Sequence, residues 1–129
     1  MSTDSLTRRA AHGYLDAWTS GDLDGVRRLL AEDAVIESNT ALEPDVGGPA
    51  SPDRLIDTLT RIAARLIQVK IITEVYEAGR AVLMYDCLVG EPADVIRVVE
   101  YLDVEGGLIR RIRQVYDVAA LHRLVPPNA

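Results

Sequence analysis

The chain predicts an α+β fold: a curved, mostly antiparallel sheet with three helices from the N-terminal half closing over one face. Helical spacing of apolar residues is confined to the first half, up to about Ile67. Four strand-like segments then follow one another, separated by short turns rich in Gly or Pro. Helices first and a meander of strands afterwards make a two-layer arrangement. A length of 129 residues fits one domain, 1–129.

The first helix carries Ala11, Tyr14, Leu15 and Trp18 on one stripe. Thr3 or Ser5 can cap its start. Ser20-Gly21 ends it, since glycine takes the left-handed cap conformation without a steric penalty. Asp22 can cap a second, short helix whose stripe is Leu23, Val26, Leu29 and Leu30. Ala34, Val35 and Ile36 turn toward strand character. The segment from Asn39 to Pro52 is rich in Pro, Gly and small residues and reads as a loop, of the kind that covers binding sites or simply crosses the surface. Ser51-Pro52-Asp53 is a helix start, and Leu55, Ile56, Leu59, Ile62, Ala63 and Leu66 continue that third helix to about Ile67.

The strands are Gln68 to Glu77, Ala81 to Val89, Val95 to Val104 and Leu108 to Asp117. Ala81 to Val89 is apolar on both faces and reads as central. Val118 to Leu124 reads as a short tail.

Composition narrows the function. A net charge of -6 argues against a nucleic-acid or anionic-membrane partner. One cysteine, Cys87, excludes an internal disulfide. No signal peptide or long apolar run is present, so a cytoplasmic protein that does not enter the membrane is expected. His12 and His122 lack ligand-like spacing to each other or to Cys87, so neither a metal nor a cofactor is expected. The aromatics are five Tyr and one Trp, with no Phe. Each has a polar tip that needs a partner when buried.

Three carboxylates interrupt apolar strands: Asp86, Glu100 and Asp117. An unpaired buried carboxylate finds a partner or shifts its pKa upward. Strict alternation puts Val82, Met84, Asp86 and Leu88 on one face, and Ile96, Val98, Glu100 and Leu102 on one face of the next strand. Val115 and Asp117 share a face on the last. If these faces coincide, the acids form a proton-transfer cluster walled by Met84, Val98, Leu102 and Val115. Tyr14, from the first helix, then supplies a donor to a developing oxyanion, with Trp18 as wall or core. Tyr85, Tyr101 and Tyr116 should face the other way. The competing reading pairs the acids with Arg97, Arg110, Arg111 and Arg113 on the same strands.

The order of a helix ending in an aromatic, a small-Gly-Asp break, a short Leu-rich helix and Glu32-Asp33-Ala34-Val35-Ile36 resembles nuclear transport factor 2-like proteins. That superfamily includes SnoaL-like polyketide cyclases, steroid delta-isomerases and limonene-epoxide hydrolases. The likeness runs from about Leu6 to Leu124. It implies a cone-shaped pocket and, often, a homodimer through the opposite sheet face. Against limonene-epoxide hydrolases, Asp86 and Asp117 fall at the two catalytic aspartates, but Met84 stands where their bridging arginine is. Ile36 and Ser38, with Asn39 beside them, occupy the region of their water-positioning groups. Against steroid isomerases, Tyr14 matches the oxyanion tyrosine and Glu100 the oxyanion acid, while Ser38, next to Glu37, stands at the general base. Asp117 matches the last-strand acid of SnoaL-like cyclases.

The resulting expectation is a cofactor-free enzyme that cyclises or isomerises an apolar, oxygenated small molecule, polyketide- or terpenoid-like. Its catalytic set is Asp117, Asp86, Tyr14 and Glu100, and its substrate-binding set is Trp18, Met84, Val98, Leu102 and Val115. The alternatives are epoxide opening by the Asp86–Asp117 pair and a non-catalytic ligand-binding or dimerisation module.

Overall fold

A computed structural model describes residues 3–39 and 52–125. Helix α1 runs from Thr3 to Thr19 and buries Ala11, Tyr14, Leu15 and Trp18. Gly21 follows with φ 84°, the left-handed region that the break requires. Asp22 then accepts a hydrogen bond of 2.9 Å from the Gly25 N–H and caps α2, Leu23–Leu29. Strand β1 (Leu30–Ser38) leaves α2 without a loop.

Helix α3 is Pro52–Ala63, with Pro52 at its first position and Leu55, Leu59 and Ile62 buried. The expected Ser51 cap and most of the expected loop lie outside the described residues. The helix stops short of Ile67 because Leu66 is already in sheet pairing, opposite Val89. Strands β2 (Leu66–Glu77), β3 (Arg80–Val89), β4 (Asp94–Glu105) and β5 (Leu108–Tyr116) form the antiparallel meander. The sheet order is β1-β5-β4-β3-β2, with β1 parallel to β5 at the edge. The register slips at Ile71/Thr73 and at Asp103/Val104. Such irregularities bend strands and increase local twist.

Val118 to Leu124, expected as a tail, is helix α4. Asp117 starts it, its Oδ1 accepting from the Ala120 N–H at 3.2 Å. Ala120 and Leu121 are buried on its inner side. The core lies between the helices and the inner sheet face. Tyr14, Trp18, Leu59, Ile62, Leu83, Tyr85, Ile96, Leu102, Ile109 and Ile112 are among its fully buried members. Among the described residues no helix is long and apolar enough to cross a membrane.

Candidate functional site

Parity decides which side chains meet. On β4 the expected parity holds: Ile96, Val98, Glu100, Leu102 and Val104 are buried. On β3 it is reversed. Ala81, Leu83, Tyr85, Cys87 and Val89 face the core, and the Val82, Met84, Asp86 and Leu88 set faces outward. On β5, Ile112, Gln114 and Tyr116 point inward, and Arg111, Arg113 and Val115 outward. Three expectations are corrected by this. Asp86 and Met84 do not line the interior, Val115 is 55% exposed, and Tyr85 and Tyr116 face in rather than away.

The physical reason on β3 is the register. Asp86 lies directly across from Arg97. The guanidinium donates to both carboxylate oxygens, at 2.8 Å from Nε and 2.9 Å from Nη2. A bidentate pair of this kind sits well on the solvent-facing side of a sheet. The Arg97 hydrogen bonds hold Asp86 below the usual carboxylate range, against the modest opposing effect of its burial. Asp117 is exposed and occupied as the α4 cap, whereas Asp86 is held by Arg97. The two aspartates therefore do not form a pair.

The third acid has the opposite surroundings. Glu100 has 0% of its surface exposed. The Tyr14 hydroxyl, coming down from α1, donates to its Oε2 at 2.6 Å. The Tyr85 hydroxyl, from β3, donates to its Oε1 in a short contact. Gln114 Nε2, directly opposite on β5, donates to Oε2 at 3.0 Å. No arginine or lysine takes part in these contacts. Burial pushes the Glu100 carboxyl above its ordinary value, and the three hydrogen bonds pull it back only in part. The same burial, with Glu100 alongside, raises the phenols of Tyr14 and Tyr85 well above 10.0, so both stay protonated donors.

Trp18 lies one helical turn beyond Tyr14 and packs on Tyr85, with ring centroids 6.2 Å apart and planes at 45°. Val98 separates Tyr85 from Tyr116 in one cross-strand row, one step along β4 from the row that holds Leu83, Glu100 and Gln114. Leu102 is buried one step further on the same face. Cys87 is buried too, and desolvation pushes its thiol to about 12, so it is an inert core group.

The structure thus joins Tyr14, Glu100, Trp18, Val98 and Leu102 from the expected sets in one interior, adds Tyr85, Gln114 and Tyr116, and leaves out Asp117, Asp86, Met84 and Val115. The missed residues had a signal. Arg111 and Arg113 mark the outer face of β5, which places Gln114 and Tyr116 on the inner one. Among the described residues no group of His, Cys, Asp and Glu is arranged to hold a metal ion. Two described grooves lie elsewhere. One of about 530 Å³ is bordered by Asp33, Val35, Asp103, Arg110 and Arg111, and one of about 240 Å³ by Arg27, Leu30, Glu32 and Asp53.

Chemically, a carboxyl whose charged form burial disfavours, held by two phenols and an amide, can exchange a proton with an oxygen that gains negative charge. Such donors act most strongly where water is excluded.

Comparison with known proteins agrees with this frame. A family model for the SnoaL-like domain matches residues 11–112. No protein of curated function matches the sequence. A crystal structure from Kribbella flavida is similar with TM-score 0.77 and 24% identity, over 96% of this chain and 95% of that one. IdmH, a proposed polyketide cyclase from Streptomyces antibioticus, is similar with TM-score 0.74 and 17% identity, over 92% and 97% of the two chains. A proposed ketosteroid isomerase from Kribbella flavida gives TM-score 0.68 and 19% identity, over 90% and 81%. These likenesses establish the shared fold.

Proposed function

The chain belongs to the SnoaL-like domain family, and we propose that it is an enzyme that cyclises or isomerises an apolar, oxygenated small molecule by proton transfer at Glu100. One observation carries this reading: a fully buried acid is surrounded by hydroxyl and amide donors instead of a cation. A carboxyl kept only for stability is more economically placed on the outer face with an arginine, as Asp86 is. In the neutral form Glu100 gives its proton to the carbonyl oxygen of the substrate, and the resulting carboxylate, steadied by Tyr14 and Tyr85, removes the proton from the carbon beside that carbonyl to leave the enol. The reverse transfers, with the carbon proton returned at the new position and the enol proton taken back by the carboxylate, release the product ketone and restore the acid. Val98 and Leu102 supply apolar wall. A substrate oxygen that reaches Glu100 displaces one of the donors that now satisfy it.

The polyketide-cyclase and ketosteroid-isomerase descriptions of the neighbours are compatible with this chemistry, which needs no added cofactor. Epoxide opening by Asp86 and Asp117 loses its support, because Asp86 lies on the other face of the sheet and Asp117 caps α4. A non-catalytic binding module is the second reading, favoured by the fact that both Glu100 oxygens are already engaged. A homodimer through the outer face belongs to the proposal as well. There Val75, Val95 and Val115 are 51%, 46% and 55% exposed, on the face that also carries the Asp86–Arg97 pair.

The test is turnover of β,γ-unsaturated cyclic ketones to conjugated enones and of enolisable diketones to aldol products. Glu100→Gln keeps the shape and removes the acid. A loss in kcat of about 10²–10⁴-fold is expected for a general acid–base group. Unchanged turnover in the variant, or no turnover of any such ketone by the wild type, overturns the enzymatic reading.

A further inference from the structure

Two donors in this interior have no acceptor among the described residues: the Tyr116 hydroxyl and the Trp18 indole N–H. Both side chains are buried, at 4% and 1% exposure. An unpaired buried donor is costly, by the full desolvation of the group, and native interiors rarely keep one without use. The contrast with the neighbouring phenols is sharp. Tyr14 and Tyr85 carry comparable hydroxyls on the same inner face, and both are spent on Glu100.

Tyr116 is not simply misplaced. Its main chain is held by Asn39, which donates from Nδ2 to the Tyr116 carbonyl at 3.1 Å and accepts from the Tyr116 N–H at 2.8 Å. The next N–H, of Asp117, donates to the Arg97 carbonyl at 2.9 Å. The ring is thereby fixed at the end of β5, one Val98 away from Tyr85 and diagonal to Glu100. Gln114 lies close enough to act on its oxygen, yet it is an N–H donor and leaves the hydroxyl proton unspent.

We propose that the Tyr116 hydroxyl is a specificity-determining donor that fixes an acceptor oxygen of the bound small molecule beside the Glu100 cluster, with the Trp18 N–H as a second such donor. The inference rests on the reading of this interior as a small-molecule site and adds what the ligand must carry. It is an apolar body with a hydrogen-bond-accepting oxygen, a ketone or an ether rather than a hydrocarbon. Asn39 acts as a positioning residue through the Tyr116 main chain.

The experiment uses the full chain labelled with nitrogen-15 and a matched pair of probes, 2-acetylnaphthalene and 2-ethylnaphthalene. Trp18 is the single tryptophan, so one indole N–H resonance reports on the site. The wild type is expected to bind the ketone roughly tenfold more tightly than the hydrocarbon, the effect of one or two hydrogen bonds. The indole proton should move downfield with the ketone only. Tyr116→Phe should reduce that preference at least about threefold while leaving Tm unchanged or raised, because the hydroxyl it removes is unpaired. Tyr85→Phe, which removes a spent hydroxyl, should lower Tm. A ketone preference that survives Tyr116→Phe, or a Tm loss in Tyr116→Phe equal to that in Tyr85→Phe, overturns the inference. Equal binding of both probes by the wild type overturns it alone. Binding of neither overturns the small-molecule reading and this inference with it.

Discussion

Glu100 and Asp86 are carboxylates on adjacent strands, on opposite faces of one sheet. Asp86 faces out and is held by both nitrogens of a guanidinium fork. Glu100 faces in and is held by two phenols and an amide. The outer acid is driven toward its charged form and the inner one away from it. The difference teaches that an acid in a strand says little until its face is known. A cation across the strand makes it structural, whereas burial among apolar walls raises its pKa and the donors around it offset that only in part.

Breaking the inner cluster should cost most. Glu100→Ala leaves the buried Tyr14, Tyr85 and Gln114 donors without their acceptor, and a loss of about 3 kcal/mol is expected in denaturant unfolding. Tyr85→Phe removes one of these hydrogen bonds and is expected to cost about 1–2 kcal/mol. Asp117→Ala removes the α4 cap, an effect of about 1 kcal/mol, and should leave turnover near wild type if Glu100 is the acid. Asp86→Asn, on the outer face, should leave Tm at neutral pH nearly unchanged, since solvent-screened pairs contribute little.

The pH dependence of stability sharpens the same comparison. Glu100 is raised in the folded state, so its contribution is complete below its unfolded value and is lost as pH rises through the folded one. Asp86 is lowered, so its contribution is present above its unfolded value and is lost as pH falls through the folded one. Glu100→Gln should therefore flatten the decline of stability on the side above the ordinary carboxylate pKa. Asp86→Asn should flatten the decline on the acid side. Chemical denaturation across the pH range checks both signs.

Much of the fold was legible in the sequence because single residues enforce it. Gly21 and Asp22 set the α1–α2 break, Pro52 starts α3, and turns at Gly79 and Gly106-Gly107 separate the strands. The site was legible only on β4 and α1. The charged Arg97 and the apolar Ile96, Val98 and Leu102 fix the parity of β4, and the stripe through Tyr14 and Trp18 fixes α1. On β3 both alternating sets are largely apolar, so periodicity does not choose between them. The cross-strand pairing of Asp86 with Arg97, which does choose, depends on a register that no local pattern contains. The α4 helix was missed because seven residues are too few to show a convincing period.

The most direct measurement is a carboxyl-carbon NMR titration of the free protein with Glu100 and Asp86 assigned. Glu100 should titrate above 4.5 and Asp86 below 3.8. Glu100 titrating at or below its ordinary value would mean that the phenols and the amide stabilise a permanent anion, and it would contradict the proton-donor role on which the proposed chemistry depends.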